Sequence, residues 1–223
     1  MALASLSLCL VSCGGPEKYD AGKTGKGTDL KMDKVIAEIN SMKVSDFGEC
    51  KKGSSDYVLI KVKDYGEIVI VLREDIAPIT VKNFKNLVKS GFYSGTIFHR
   101  VMEGFMIQGG GYTEQNGALR EKAASSIRGE FSDNYISNNL KHVKGVISMA
   151  RTNDPNSASS QFFIMHADTQ SLDGKYAAFG YVLAGLEVVD AIATCEVAGD
   201  ANAPKPVKTV VIESATFVQP VAE

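Results

Sequence analysis

The chain has 223 residues, enough for one large domain or two small ones with a sizeable core. Hydrophobic residues make up 44% and charged residues 22%, the balance of an ordinary globular protein. The net charge of −2 gives no electrostatic case for nucleic acid as the main partner, and the lysines are spread among acids.

Residues 1–10 are apolar or small and run into Leu10-Val11-Ser12-Cys13-Gly14. The run is too short to span a bilayer but suits a signal sequence. It resembles a bacterial lipobox, in which the cysteine becomes the lipidated first residue, although no Lys or Arg precedes it. That resemblance implies a signal peptide over 1–12, a palmitate-bearing lipid anchor on Cys13 and an extracytoplasmic, membrane-anchored lipoprotein. Cys50 and Cys195 would then remain in the mature chain. An oxidising compartment permits a bridge between them, but two cysteines are not a disulfide framework. Residues 13–54 read as a tether: 14–29 are rich in Gly, Lys and Thr, and Val35, Ile36, Ile39 and Met42 mark one face of a short helix. That helix docks on the domain, frays, or serves as a partner contact.

A second pattern occupies residues 55–218. Val58, Ile60 and Val62 alternate with Lys61 and Lys63, Asp64-Tyr65-Gly66 turns the chain, and a more buried strand returns over 68–72. Pro78 opens a helix with Val81, Phe84 and Val88 on one face, and Gly91 stops it. Short strands resume through Phe98, Met106, Ile147, Phe162 and Phe179. A second helix fits 187–194, and a last strand fits 209–212. Many short strands with two helices predict a mainly β fold, a closed antiparallel barrel with a helix over each open end.

Two segments carry the chemistry. One runs from Phe98-His99-Arg100 to Gly104-Phe105-Met106-Ile107-Gln108-Gly109-Gly110. The other holds Ser148-Met149-Ala150-Arg151 and Ser160-Gln161-Phe162-Phe163-Ile164. They supply a fixed cation, two amides and apolar surfaces, with no evident nucleophile or acid–base pair. His99, His142 and His166 lack ligand spacing, which predicts no metal. With Gly129-Glu130-Phe131, Gly145-Val146-Ile147 and Leu172-Asp173-Gly174-Lys175, the blocks stand in the order of the cyclophilin-type peptidyl-prolyl isomerases, which the chain resembles.

The resemblance implies an eight-stranded barrel and acceleration of rotation about Xaa-Pro bonds, with no cofactor and no covalent intermediate. It assigns catalysis to Arg100, Gln108 and Phe105. Met106, Ala150, Arg151, Gln161, Phe163, Leu172 and Tyr176 bind the substrate. Adjacent strand residues face opposite ways, so Phe162 and Phe163 cannot both line one pocket. The expected partners are proline-containing polypeptides and, through the lipid, a membrane; the chain itself is expected to be a monomer. Ser171 stands where the family often carries a tryptophan that contributes to cyclosporin binding. Residues 112–126 depart from the family's glycine-rich loop and are expected to border the groove. The rival reading is a proline-peptide holdase or scaffold with little turnover.

Overall fold

A computed structural model describes residues 31–51 and 53–221. The signal segment, Cys13 and the stretch at 14–29 lie outside the described residues. Strand formation follows the alternation of side chains. In chain order the strands are β1 (Phe47–Glu49), β2 (Tyr57–Val62), β3 (Gly66–Leu72), β4 (Ile97–Met102), β5 (Met106–Gly109), β6 (Tyr112–Gln115) and β7 (Ala118–Glu121). They continue as β8 (Val146–Met149), β9 (Phe162–Met165), β10 (Ala178–Ala184), β11 (Val197–Ala198), β12 (Lys205–Pro206) and β13 (Val210–Pro220). Eight pair antiparallel in the order β13-β2-β3-β10-β8-β9-β5-β4, and pairing of β4 with β13 closes the barrel. Closure removes the exposed edges an open sheet would present.

Every second residue fills the interior. Val58, Ile60 and Val62 of β2 meet Phe98, Val101, Ile107, Ile147, Phe162 and Phe179 there. Two helices add to this core: α2 (Pro78–Lys89) sends in Val81, Phe84 and Val88, and α3 (Leu186–Ala193) sends in Val188, Val189 and Ile192. Phe84 packs at 5.0–5.8 Å, centroid to centroid, against Tyr93, Phe162 and Phe179. The N-terminus of α2 has Ala77 as its cap residue, which offers no side-chain acceptor. Glu130 supplies one instead: its carboxylate accepts from the Ile79 N–H (3.0 Å), the Thr80 N–H (2.7 Å) and the Thr80 hydroxyl (2.7 Å).

The short helix expected within residues 13–54 forms as α1 (Met32–Glu38), and of the roles open to it, it takes docking. Val35 is buried, Glu38 accepts from the Tyr181 hydroxyl (2.5 Å), and the Asn40 and Met42 N–H groups bond β10 carbonyls. Three other expectations change. After α1, β1 pairs with the far end of β13, so part of the stretch read as a tether belongs to the sheet. The last strand runs to Pro220 rather than stopping at residue 212. A register shift between Ile212 and Ser214 breaks the alternation and hides the continuation through Ala215 and Val218. Finally, residues 112–121 form the β6–β7 hairpin, turned at Asn116-Gly117 with both residues at positive φ, the strongest short hairpin signal. It leans on β4 through Tyr112 and His99 (4.7 Å) and on Thr209 through Glu114, and none of its residues lines the pocket described next. Cys50 and Cys195 are free thiols.

Candidate active site

The site lies on the barrel's outer face, and a β-bulge creates it. Phe98 pairs with Gly109, but Arg100 pairs with Gln108, so His99 is an extra residue in β4. In a regular strand Phe98 and Arg100 would share a face. The bulge reverses the phase: Phe98 and Val101 point into the core and Arg100 points out. Gly109 permits the close approach, since a Cβ there would sit 2.8 Å from the Ile97 carbonyl oxygen. Arg100, Gln108, Phe163 and Ser148 then form one cross-strand row over four strands. Phe162 faces the core and Phe163 the outer cluster, as alternation requires.

Arg100, Phe105, Met106, Gln108, Ala150, Arg151, Phe163, Leu172 and Tyr176 line one pocket of about 110 Å³. That is room enough for one small ring. Gln161 stands one hydrogen bond behind: the Gln108 amide donates to its carbonyl (3.0 Å) while the Gln108 carbonyl accepts from Arg100 Nη1 (3.3 Å). Arg100 Nε donates to the Asn202 carbonyl (3.0 Å) and Nη2 to the Met102 sulfur (3.1 Å); the guanidinium carbon lies 6.0 Å from the Phe105 ring centroid. These partners are all neutral. The guanidinium is therefore held in place while its charge stays available to whatever enters the pocket.

The opposite wall is built around Arg151. Its Nε and Nη2 donate to the Lys175 carbonyl (3.0 and 2.9 Å), and its guanidinium stacks on Phe131 (5.1 Å) and Tyr176 (4.7 Å). Phe163 meets Tyr176 edge-on at 5.7 Å and stacks on His142 at 6.0 Å and 21°. His142 bonds Asp173 (3.1 Å) and Ser148 (3.1 Å) beneath the pocket. Ser171 occupies the turn Gln170–Leu172 beside Leu172 and gives that edge no aromatic wall. The sequence reading missed Met102, the Asn202 and Lys175 carbonyls, His142 and His166. Backbone carbonyls leave no signal in residue type, and lone histidines carry none in spacing.

His99, on the bulge, is pushed down from 6.5 to about 4, first by burial and then by the neighbouring Arg100 charge; its Nδ1 is buried without a hydrogen-bond partner. Burial lowers His142 too, against the pull of Asp173. Both rings resist protonation in the fold, while the unfolded chain takes up protons more readily. Stability is therefore full above about pH 6.5 and falls with pH below it, by roughly 1.4 kcal/mol per pH unit for His99 alone. Urea unfolding at about pH 7 and about pH 5 should show the lower midpoint at the acid value. Equal midpoints would mean that His99 protonates freely in the fold.

The family described as "Cyclophilin type peptidyl-prolyl cis-trans isomerase/CLD" matches residues 57–217. Peptidyl-prolyl cis-trans isomerase A of Dickeya dadantii is 42% identical over 193 residues, covering 83% of this chain and 97% of the relative. A peptidyl-prolyl cis-trans isomerase of Acinetobacter baylyi is 47% identical over 158 residues, covering 66% and 80%. A crystal structure of a Cryptosporidium parvum cyclophilin-type isomerase superposes with a TM-score of 0.62 at 29% identity, covering 75% of this chain and 99% of that one. A second structure of that protein, in the presence of the dipeptide Ala-Pro, gives 0.61. The chain belongs to the cyclophilin-type peptidyl-prolyl cis-trans isomerases and is an enzyme of that class.

Proposed function

We propose that the enzyme accelerates rotation about Xaa-Pro bonds in exported proteins by hydrogen bonding from Arg100 to the prolyl nitrogen. Amide resonance sets a barrier of about 18–20 kcal/mol to that rotation. In the twisted transition state resonance is lost, and the nitrogen becomes pyramidal and gains a lone pair. A donor aimed at that nitrogen stabilises the transition state more than either planar ground state, which is what acceleration requires. Arg100 supplies the donor, and Gln108 and Phe105 set its direction. Met106, Phe163 and Leu172 receive the proline ring and exclude water, which strengthens the bond. Ala150, Arg151, Gln161 and Tyr176 border the path of the flanking peptide.

The observation that carries this reading is a guanidinium with only neutral partners beside an apolar pocket. A holdase that only binds an apolar ring has no use for such a cation. A protease-coupled assay on a short Xaa-Pro peptide separates the two. The enzyme at concentrations far below the peptide should convert the whole cis fraction in a single fast phase. Conversion of the cis fraction at no more than the uncatalysed rate would make the chain a holdase.

The export and anchor part of the proposal rests on the Leu10 to Gly14 segment. Lipid on Cys13 would hold the domain at an extracytoplasmic membrane surface. Among the described residues no helix is long and apolar enough to cross a membrane. Cys13→Ser is expected to shift the protein to the soluble fraction and abolish palmitate labelling. Unlabelled wild-type protein in the cytoplasm with Met1 intact would refute the anchor.

A further inference from the structure

Two of the groups that hold the Arg100 guanidinium sit on one tight turn. Met102, whose sulfur accepts from Nη2, opens the turn, and Phe105, whose ring lies beside the guanidinium, closes it. The Phe105 N–H donates to the Met102 carbonyl (3.1 Å), and Gly104 sits at φ +71°, the left-handed third position that favours glycine. A turn of this kind leaves its central N–H pointing away from its own chain. Here the Gly104 N–H donates to Nδ1 of His166 at 2.8 Å. The N–H groups of His166 and Ala167 both donate to the Phe105 carbonyl (2.9 and 3.3 Å).

The His166 side chain is 15% exposed, and its Nε2 faces Asp190 of α3 at 3.4 Å, where Lys144 also pairs with Asp190. For Nδ1 to accept, the neutral ring must carry its proton on Nε2, the nitrogen turned toward the carboxylate. The ring is thus held by α3 on one side and grips the Met102–Phe105 turn on the other. Loss of the acceptor would leave the exposed Gly104 N–H to water and the turn tied to this segment only through the Phe105 carbonyl, so that Phe105 and Met102 could shift away from the guanidinium.

We propose that His166 is a positioning residue for the isomerase reaction: its Nδ1 clamps the Glu103–Gly104 peptide so that Met102 and Phe105 hold Arg100 at the mouth of the pocket. The inference rests on Arg100 being the donor to the prolyl nitrogen, but it makes a separate claim about the turn. Asn carries an acceptor at the position of Nδ1, Gln places its acceptor one bond further out, and Leu has none.

The test is kcat and KM in the protease-coupled assay for full-length His166→Leu, His166→Gln, His166→Asn and Arg100→Ala, each checked by thermal unfolding. His166→Leu and His166→Gln should lower kcat by about tenfold with KM changed less than about twofold, as loss of one well-placed hydrogen bond allows. His166→Asn should return kcat to within about threefold of wild type. A Leu variant too unstable to assay leaves Gln against Asn to decide. Wild-type kcat in His166→Gln, beside a slow Arg100→Ala, overturns the clamp and leaves Arg100 standing. Equal loss in the Gln and Asn variants also overturns it, because an acceptor at Nδ1 would then not matter. Wild-type turnover in Arg100→Ala removes the reading beneath the proposal and the proposal with it.

Discussion

Arg100→Ala is expected to lower kcat/KM for Xaa-Pro isomerisation by about two to three decades, the usual loss for one preorganised transition-state donor. The fall should lie in kcat. The apolar wall of Met106, Phe163 and Leu172 is untouched by the change, and it is this wall that receives the ring in both ground states. Folding should also change little, because Arg100 points out of the barrel and its partners are two side chains and a carbonyl at the surface. The uncharged partners matter to the size of the effect. Had a carboxylate neutralised the guanidinium, its field at the prolyl nitrogen would be weaker and the loss on truncation smaller. Lysine is not expected to rescue, since a point ammonium cannot bond Asn202, Gln108 and the substrate from one plane.

The largest stability effect is expected at Glu130, which is 2% exposed and caps α2 from 50 positions away in sequence. Glu130→Ala strands the Ile79 and Thr80 N–H groups and removes three bonds to a charged acceptor. A loss of about 3 kcal/mol follows, or roughly two decades in the folding equilibrium. Glu130→Gln keeps one acceptor but turns an N–H toward the helix N-terminus, so it should lose about half as much. Urea unfolding midpoints measure both. The folded fraction of either variant should isomerise peptide at close to the wild-type rate. A Glu130→Ala protein as stable as wild type would show that water replaces the cap without cost.

What could be read from the sequence is what alternation and short motifs encode. The phases of β2 and β3, the Pro78 start of α2 and the opposite facings of Phe162 and Phe163 all follow from periods of two or 3.6 residues. The pocket's lining came from block order, and the structure gathers nine of the ten named residues around one cavity with Gln161 behind it. What was hidden depends on phase errors and long-range pairing. A bulge of one residue at His99 decides that Arg100 faces out, and no residue type announces it. The shift between Ile212 and Ser214 concealed most of β13 in the same way. Glu130 and His166 act through backbone N–H groups far away in sequence, so their roles appear only once the chain is folded. The Asn116-Gly117 hairpin is the exception: its signal was present and was outweighed by a comparison of loop composition.

In the proposed mechanism the Arg100 guanidinium acts on the twisted amide rather than on peptide binding. Exchange NMR on a short Xaa-Pro peptide, at equal occupancy of wild-type and Arg100→Ala protein, tests it most directly. Peptide affinity should be similar for both proteins, with rapid cis–trans exchange on the wild type and exchange slowed by about two to three decades on the variant. Equal exchange rates at equal occupancy would contradict it.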